Sequence, residues 1–260
     1  MTTRTTYGTA FITGGGSGIG RASALRLAQS GAQVAVSDLN IDAARAVAHD
    51  IKTAGGEAIA IALDVTDAQG LPAAVSDAED QFGPIDILVN SAGLILVEPL
   101  LDFSQASWRQ VMEVNVTGTF QVSQYVAQGM AHRGYGRIIN ISSISGLRAG
   151  VGRVAYGTSK AAILGLTRQF ALELGPRGVT TNAIAPGVIE TPMTLNAYSE
   201  ETWSRVLDMV PARRRGQPED IAEAVAYLAS PAASYVNGEV LTVDGGYMAT
   251  GMTQTGNLEA

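Results

Sequence analysis

The sequence predicts an α/β protein with a doubly wound parallel sheet of about seven strands and helices on both faces. Short apolar runs alternate with segments of helical periodicity, which is the order expected of βαβ units. Several runs, among them residues 85–89, are almost continuous in apolar residues, as in parallel strands covered on both faces. A glycine-rich loop also follows the first run and opens the first helix.

The predicted elements follow one another without a dividing linker. Strands are expected at residues 9–13, 31–38, 58–63, 85–90, 136–141, 179–185 and 239–243, and the two longest helices at 104–132 and 154–175. No repeat, low-complexity block or Pro/Gly/Ser-rich linker divides the chain, so we expect a single domain over residues 1–260. Right-handed crossovers would place the carboxyl ends of the strands at one edge, where ligands bind.

Composition argues against several classes of function. The 17 Lys and Arg against 24 Asp and Glu give a net charge of -7, so the chain lacks the basic character of proteins that bind nucleic acid or anionic membranes. There is no cysteine for a disulfide or a nucleophile, and two histidines are too few for a histidine metal site. We therefore expect no metal, and chemistry from hydroxyl, amine or carboxylate groups or from a cofactor.

The first residues and the hydropathy predict a soluble protein. The N-terminus lacks the apolar core of a signal peptide, and no apolar run approaches the roughly 18 residues that span a bilayer. A cytoplasmic protein is the resulting expectation. Residues 248–260 are small and polar, and we expect a partly disordered C-terminal tail there.

The glycine-rich loop predicts a nucleotide-binding site. It has the pattern G-x-x-x-G-x-G through Gly14, Gly18 and Gly20, with Ser17 and Ile19 on either side of Gly18. Glycines let the backbone approach a pyrophosphate, and the N-terminus of the following helix favours its charge. A strand, this loop and a helix together indicate a Rossmann-type dinucleotide site, although a glycine-rich turn alone is more often only a turn.

Asp38, at the end of the second predicted strand, indicates which dinucleotide binds. A carboxylate there accepts hydrogen bonds from the ribose 2′-hydroxyl of NAD and would repel the 2′-phosphate of NADP. Arg21 on the first helix could reach toward a phosphate, but no Arg or Lys occurs at positions 37–40. NAD is therefore the predicted cofactor, and the alternative is that Asp38 is simply a turn-forming residue.

Tyr156 and Lys160, four residues apart, form the candidate catalytic pair. In a helix this spacing places both side chains on one face. An ammonium beside a phenol lowers the pKa of the phenol, which would suit a general acid and base. Ser143 lies where a strand would end, and its hydroxyl could bond a substrate oxygen. Most Tyr and Lys pairs at this spacing are only surface neighbours, which is the alternative.

Together these motifs resemble the short-chain dehydrogenase/reductase family over nearly the whole chain. The residues that carry the resemblance are Thr13-Gly-x-x-x-Gly-x-Gly20, Asp64-Val65, Asn90-Ser-Ala-Gly93, Asn115, Ser143, Tyr156-x-x-x-Lys160, Pro186-Gly187 through Thr191, and Val243-Asp-Gly-Gly246. The resemblance implies an NAD-dependent oxidoreductase with the Rossmann-type fold expected above.

The resemblance also implies roles for individual residues. Tyr156 would exchange a proton with the substrate oxygen, Ser143 would hydrogen-bond that oxygen, and Lys160 would bind the nicotinamide ribose and lower the pKa of Tyr156. Asn115, a polar residue inside an apolar helical pattern, would hold a water of a proton relay, and the alternative is a satisfied core amide. Further cofactor contacts would come from Asp64, Val65, Asn90, Ala92, Gly93, Tyr156, Lys160, Pro186, Gly187, Ile189 and Thr191.

The substrate pocket is expected beside the catalytic residues. By resemblance its lining would be Leu94, Ser145, Leu147, Arg153, Met193 and Trp203. Residues 191–215 follow a Pro-Gly pair and mix aromatic with charged side chains, so we expect a mobile substrate lid there. Arginines that face the pocket would suit a carboxylate or a phosphate, but Arg148 and Arg153 are both expected to face solvent or another subunit.

The expected function is reversible hydride transfer between NAD(H) and a secondary alcohol or ketone, with a small polyol, a sugar or a cyclic alcohol as the substrate. An NADPH-dependent reductase of 3-oxoacyl thioesters is the alternative enzyme, against which Asp38 argues. A nucleotide-binding protein without catalysis is a third interpretation, and the presence of all four catalytic residue types argues against it. By resemblance alone, the helices at 104–132 and 154–175 would pair between subunits in a homotetramer of D2 symmetry.

Overall fold

The structure, a computed structural model, describes residues 7–251 of the 260. Its strands are β1 (Thr9–Thr13), β2 (Gln33–Asp38), β3 (Glu57–Ala62), β4 (Ile85–Asn90), β5 (Gly136–Ile141), β6 (Val179–Pro186) and β7 (Val240–Val243). Its helices are α1 (Gly18–Gln29), α2 (Ile41–Thr53), α3 (Leu71–Phe82), α4 (Gln105–Met112), α5 (Thr119–Arg133), α6 (Val154–Leu174), α7 (Pro192–Ala197), α8 (Glu200–Asp208) and α9 (Pro218–Ala229). The alternation of strands and helices is the predicted one.

The strands form one parallel sheet in the order β3-β2-β1-β4-β5-β6-β7. This confirms the predicted doubly wound sheet of seven strands. The strand boundaries differ from the predicted ones by at most two residues. Strand β2 begins at Gln33 because Gly31, with a φ of 89°, belongs to the turn after α1. Strand β6 extends to Pro186, which pairs with Val243 of β7.

Different helices cover the two faces of the sheet. Neighbouring residues of β1 point to opposite faces, so Ile12 lies in one core and Phe11 in the other. Helices α1 and α9 contribute Leu27 and Val225 to the core around Ile12, and α5 contributes Val126 to the core around Phe11. All five side chains are buried. Burial on both faces explains why the central strands read as continuous apolar runs.

The strand order reverses at the centre of the sheet. Strand β1 pairs with β2 on one side and with β4 on the other. From this pair the sheet continues to β3 in one direction and to β5, β6 and β7 in the other. In open α/β sheets the crevice outside the carboxyl ends of the strands at such a reversal binds the ligand. The glycine-rich loop lies at that end of β1.

The single helix predicted at 104–132 is interrupted, and this corrects the prediction. Helices α4 and α5 are joined by a π-helical turn over Glu113–Gly118, in which each turn holds an extra residue. Two contacts fix the interruption. The Asn115 side chain turns away to bond the backbone of Leu94, and Gly118 lies so close to Val65 that a Cβ there would be 2.7 Å from its Cγ2.

The predicted lid segment, residues 191–215, contains the short helices α7 and α8. Thr191 caps α7 and shares reciprocal hydrogen bonds with Thr194, and the Ser199 hydroxyl caps α8 by accepting from the Thr202 amide. Beyond the sheet, Tyr247–Ala249 form a 3₁₀ turn. The tail predicted at 248–260 therefore begins within a turn, and residues 252–260 lie outside the described residues.

Over residues 7–251 no helix is long and apolar enough to cross a bilayer. The same residues hold no cluster of three or more His, Asp or Glu side chains that could bind a metal ion. Several buried polar side chains lie where strands end, among them Asn90, Asn140, Ser142 and Ser143. That edge of the sheet carries the candidate site.

Candidate active site

The glycine-rich loop is shaped by two close backbone approaches. Gly14 has a φ of 63°, and a Cβ on it would lie 2.7 Å from the backbone of Ala92. A Cβ on Gly20 would lie 2.1 Å from the carbonyl oxygen of Gly14. Only glycine fits at these positions. Ser17 precedes α1, is exposed, and makes no side-chain cap, so the first amides of α1 stay available to a phosphate.

Asp38 holds the loop and faces the same cleft. Its Oδ2 accepts a hydrogen bond from the Gly16 amide at 2.9 Å, and its Oδ1 accepts one from the Asn40 amide at 2.9 Å. Each carboxylate oxygen keeps a second lone pair for a ligand hydroxyl. Arg21 points elsewhere, because its guanidinium pairs with Asp50 at 3.1 Å.

Asp64 follows β3 and Asn90 ends β4, and the two side chains have different settings. Asp64 lines the cleft, and its Oδ1 accepts hydrogen bonds from the amide and hydroxyl of Thr66, which makes a local turn. Asn90 is buried behind the cleft, where its Nδ2 donates to Ser123 Oγ and Asn140 Oδ1, both at 2.8 Å. Asn90 thus braces the strand ends rather than facing a ligand.

The candidate catalytic pair lies at the inner end of the cleft. Tyr156 and Lys160 occupy one face of α6, with the Lys160 ammonium 5.7 Å from the centre of the Tyr156 ring. The ammonium donates to the carbonyl oxygen of Ile141, at the end of β5, at 2.8 Å. Ser143 follows the same strand, and its Oγ accepts from the Ser145 amide at 3.0 Å.

Burial governs the proton affinities of this pair. It lowers the pKa of Lys160 to about 8, because a buried ammonium loses its hydration. Burial is also the largest influence on the pKa of Tyr156 and raises it, although the hydrogen bond to Ser143 and the positive charge of Arg153 act in the opposite direction. The predicted lowering of the Tyr156 pKa by Lys160 is therefore absent from this structure. The ammonium is directed at the Ile141 carbonyl instead.

Asn115 is a fully bonded amide next to the catalytic pair. Its Oδ1 accepts from the Leu94 amide at 2.7 Å, and its Nδ2 donates to the Leu94 carbonyl and to Ser159 Oγ, both at 2.9 Å. These contacts match the core-amide alternative. They also fix Leu94 and place Gly93 between Asn115 and Lys160, since a Cβ on Gly93 would lie 3.5 Å from Asn115 Oδ1 and from Lys160 Nζ.

Most of the predicted site residues line one cleft of about 460 Å³. These are Gly14, Ser17, Gly18, Ile19, Asp38, Asp64, Val65, Ala92, Gly93, Leu94, Ser143, Tyr156, Lys160, Pro186, Gly187, Ile189, Thr191 and Met193. Seven others lie outside its lining: Gly20, Asn90, Asn115, Ser145, Leu147, Arg153 and Trp203. Gly20, Asn90 and Asn115 support the lining from behind through the contacts described above.

The predicted substrate residues are only partly brought together. Leu147 is 42% exposed and lines neither the main cleft nor the smaller cavity next to it. Trp203 is 1% exposed and packs inside the lid segment against Tyr198 and the Arg215 guanidinium, so its placement in the pocket is wrong. A tryptophan among charged residues on a short helix buries its apolar body beneath that helix.

The expectation that Arg153 faces solvent or another subunit is also wrong. Its guanidinium does not face solvent but is half-buried, and it donates to Ser145 Oγ at 3.2 Å and to the Tyr198 hydroxyl. Arg148 is exposed as predicted, with its guanidinium 5.8 Å from the ring centre of Tyr247. Ser145 and Arg153 line a second cavity, of about 180 Å³, next to the main cleft.

Several lining residues were not predicted from the sequence. They are Leu39, Leu63, Ser91, Gln110, Val114, Ile141, Ser142, Pro192 and Thr194. Leu39 and Leu63 adjoin the predicted acids Asp38 and Asp64 in the sequence. Their positions beside strand ends could therefore have predicted that they line the cleft. Gln110 and Val114 reach the cleft from either side of the start of the π-helical turn, which apolar periodicity does not reveal.

The cleft fits an extended dinucleotide. At one end the Gly14 to Gly20 loop leaves space that side chains would fill, and Asp38 offers acceptors for ribose hydroxyls. At the other end Lys160 offers a cation and Tyr156 a phenol. The donors and acceptors therefore suit a ribose, a pyrophosphate and a second ribose in sequence.

The depressed pKa of Lys160 predicts a pH dependence of stability in the free protein. Below pH 8 the lysine is charged in both the folded and the unfolded state, and the folded state carries the full cost of burying it. Between about pH 8 and 10.5 the unfolded chain keeps the proton that the folded state has lost, so stability rises with pH. We expect Lys160→Met to remove a gain of about 1 to 2 kcal/mol between pH 7 and 9.5.

Urea unfolding at both pH values measures this gain. Lys52→Met is the matched control, because Lys52 is exposed and is the only other lysine of the chain. If the wild type and Lys160→Met show the same pH slope, Lys160 does not titrate below its ordinary range.

Curated relatives with dehydrogenase and reductase names match almost the whole chain. A galactitol 2-dehydrogenase (L-tagatose-forming) from Cereibacter sphaeroides is 44% identical over 246 residues, which cover 92% of this chain and 94% of that protein. A 3-oxoacyl-[acyl-carrier-protein] reductase from Vibrio cholerae is 40% identical over 237 residues, covering 91% and 96%.

Solved structures agree with the fold over the same length. A 7α-hydroxysteroid dehydrogenase in complex with NADH and 7-oxo glycochenodeoxycholic acid superimposes with a TM-score of 0.90 at 42% identity, covering 94% of this chain and 95% of that one. A structure from Beutenbergia cavernae, described as an NAD(P)-dependent gluconate 5-dehydrogenase with NADP at low occupancy, gives a TM-score of 0.88 at 39% identity, covering 93% and 97%.

A family model described as enoyl-(acyl carrier protein) reductase matches residues 14–248 of the chain. That range begins in the glycine-rich loop and includes the strand ends and α6. With the relatives and the shared fold, it confirms the resemblance carried by the sequence motifs. The chain belongs to the short-chain dehydrogenase/reductase family of oxidoreductases.

Proposed function

We propose that the protein catalyses reversible hydride transfer between NAD(H) and a secondary alcohol or ketone. The observation that carries this proposal is the convergence of Ser143, Tyr156 and Lys160 at one end of a cleft whose other end holds the glycine-rich loop and Asp38. A dinucleotide bound along this cleft would bring its nicotinamide to the three side chains.

The chain's own residues would handle the proton and the substrate oxygen. When bound, the nicotinamide cofactor accepts or supplies the hydride at carbon. In the direction of oxidation the alcohol oxygen would bond to Ser143 and lose its proton to the ionised Tyr156 oxygen. Lys160 would supply positive charge toward the nicotinamide ribose and the phenol. Asn115 holds the Leu94 backbone beside this group through two hydrogen bonds and bonds Ser159 of α6 through a third.

NAD is the proposed cofactor because the adenosine end of the cleft is acidic. The charged side chains in the described lining are Asp38, Asp64 and Lys160, and Lys160 lies at the catalytic end. Among residues 7–251, a 2′-phosphate would meet the Asp38 carboxylate without a nearby cation in the cleft lining, since Arg21 is paired with Asp50. Two charges of the same sign at about 4 Å repel by roughly 4 kcal/mol near a protein surface.

A small polyol, a sugar or a cyclic alcohol is the proposed substrate class. The galactitol dehydrogenase relative supports a polyol. Ser143 lines the cleft with Tyr156, and Ser145 and Arg153 add polar groups in the cavity next to it. Reduction of a 3-oxoacyl thioester is the second candidate, favoured by the relative from Vibrio cholerae. A non-catalytic nucleotide-binding protein is a third possibility, against which the assembled catalytic side chains argue.

Residues 191–215 are proposed as the lid of the cleft. Thr191, Pro192, Met193 and Thr194 line it from this segment. A Cβ on Gly18 would lie 3.3 Å from Thr191 Cγ2, so the start of the segment touches the glycine-rich loop. Mobility of the segment stays a prediction of the sequence.

Replacement of Tyr156 by phenylalanine tests the catalytic assignment. We expect Tyr156→Phe to lower kcat about 10²- to 10⁴-fold, the usual contribution of a general acid or base, with NAD binding within about threefold of the wild type. The measurement is NADH formation from NAD with polyols, sugars, cyclic alcohols and 3-hydroxyacyl esters, and NAD titration by calorimetry. Tyr235→Phe, at a fully exposed tyrosine, is the control. Retained activity in Tyr156→Phe would refute the role of the phenol.

Replacement of Asp38 by asparagine tests the cofactor. Asparagine keeps an acceptor for the Gly16 amide and removes the charge, so NADP is no longer repelled. We expect kcat/KM to favour NAD over NADP in the wild type, and this ratio to fall at least tenfold in Asp38→Asn. Asp77→Asn, on the exposed face of α3, should leave the ratio unchanged. A wild type that prefers NADP with a 3-hydroxyacyl ester would instead establish the second candidate.

A homotetramer is also proposed. Helices α5 and α6 leave a groove of about 780 Å³ on the protein surface, lined by Phe120, Phe170 and other half-exposed residues. A second copy that covers this groove with its own α5 and α6 would form a two-fold interface. Sedimentation equilibrium at micromolar concentration should give four times the chain mass of 26.9 kDa, and a monomer alone would contradict the proposal.

A further inference from the structure

Arg153 is held in place next to the catalytic tyrosine. It directly precedes α6, one helical turn before Tyr156. Its Nη1 donates to Ser145 Oγ at 3.2 Å, its Nη2 donates to the Tyr198 hydroxyl, and its guanidinium carbon lies 5.0 Å from the centre of the Tyr198 ring. Stacking and hydrogen bonding to two neutral side chains fix the guanidinium without cancelling its charge.

The charge of Arg153 has no acidic partner within residues 7–251. Other arginines near the lid segment are neutralised: Arg205 pairs with Glu201 at 2.7 Å, and Arg214 pairs with Asp220 at 2.6 Å. The half-buried Arg153 makes hydrogen bonds only to neutral groups. Partial removal of a cation from water costs free energy unless an anion compensates it. An anion from outside the chain would supply that compensation.

The cavity beside Arg153 is cationic and adjoins the reacting groups. Its lining includes Ser145, Arg148, Arg153, Val188 and Tyr198, and no aspartate or glutamate. Ser145 lies two residues after Ser143, and Val188 lies between two residues of the main cleft. The Arg153 cavity therefore lies beside the Tyr156 end of the main cleft, within reach of a substrate longer than its reacting alcohol.

We propose that Arg153 and Tyr198 form a carboxylate subsite, and that the substrate is a hydroxy acid of the sugar-acid type. This inference rests on the proposed function and narrows its substrate class. The planar guanidinium presents paired N–H donors that match the two oxygens of a carboxylate, and the hydroxyls of Ser145 and Tyr198 lie beside it as further donors. A volume of about 180 Å³ suits the carboxylate and the carbons next to it.

The carboxylate takes no part in the chemistry. The secondary alcohol would be oxidised to a ketone by giving its proton to the ionised Tyr156 oxygen and its hydride to the NAD that the proposed function supplies, while the carboxylate stays ionised at Arg153. Binding through a group that does not react fixes which hydroxyl of a polyhydroxy chain meets Tyr156. Arg153 is in this sense a specificity-determining residue.

Matched pairs of acid and neutral substrates test the subsite. The kcat/KM values for D-gluconate and D-glucitol, and for D-galactonate and galactitol, are measured with NAD for the wild type, Arg153→Gln, Arg153→Lys and Tyr198→Phe. We expect the wild type to prefer the acids and Arg153→Gln to lower kcat/KM for the acids about 10- to 100-fold. The neutral polyols should change less than about threefold, and Arg153→Lys should restore part of the activity on the acids.

The ratio of acid to neutral activity separates recognition from other effects. Any influence of the Arg153 charge on Tyr156 reaches both substrates alike and cancels in this ratio. Tyr198→Phe should lower the ratio by a smaller factor than Arg153→Gln. Arg168→Gln, an exposed arginine on the same helix, is the matched control and should leave the ratio unchanged. Thermal unfolding of each variant verifies that it is folded.

Three results would overturn the subsite. If Arg153→Gln changes acids and neutral polyols by the same factor, Arg153 does not bind the carboxylate, and the proposed oxidoreductase function stands. If D-glucitol 6-phosphate is preferred to every acid and depends on Arg153, the subsite binds phosphate esters instead. If no alcohol of any kind is oxidised with NAD or NADP, the proposed function itself fails, and the subsite with it.

Discussion

The position of the reacting groups depends on one buried ammonium. Lys160 donates to the carbonyl of Ile141 at the end of β5, and the Ser142 hydroxyl donates back to the Lys160 carbonyl at 2.8 Å. This pair of bonds fastens α6 to the end of the strand. Ser143 follows directly after Ser142, just beyond the end of β5, and Tyr156 lies one turn before Lys160 on α6, so these bonds position both side chains. Burial of the Lys160 charge costs free energy, and the bonds described above hold the site rigid in return.

Much of the fold was predictable because its signals are local. The strands buried on both faces read as apolar runs, and right-handed crossovers between parallel strands place their carboxyl ends at one edge of the sheet. The glycine-rich loop was also predictable, since only glycine permits the approach of Gly20 to the Gly14 carbonyl. The predicted boundaries of β2, near Gly31, and of β6, near Pro186, are wrong by at most two residues. A glycine turn or a proline marks the end of an element to within a few residues.

The parts that sequence reasoning misjudged depend on contacts between distant segments. Arg153 faces inward because Tyr198, forty-five residues later, offers a ring and a hydroxyl. Trp203 is buried by the fold of its own segment against Arg215 rather than by a ligand. The pKa of Tyr156 rises because burial outweighs the hydrogen bond to Ser143 and the charge of Arg153, and the Lys160 ammonium, which the spacing places nearby, is directed at the Ile141 carbonyl. Residue spacing identifies which side chains belong to a site. The direction in which each side chain points, and the degree to which it loses water, can be read only from the assembled structure.

The π-helical turn over Glu113–Gly118 restricts length variation in this chain. A turn with one extra residue rotates all following side chains by about 100° relative to those before it. Here that rotation lets α4 contribute Gln110 to the cleft while α5 directs Val122 and Val126 into the core. If the chain were shortened by one residue at this point, either α4 would no longer direct Gln110 into the cleft or α5 would no longer direct Val122 and Val126 into the core. Insertions and deletions are therefore better tolerated in the loops than in this helix.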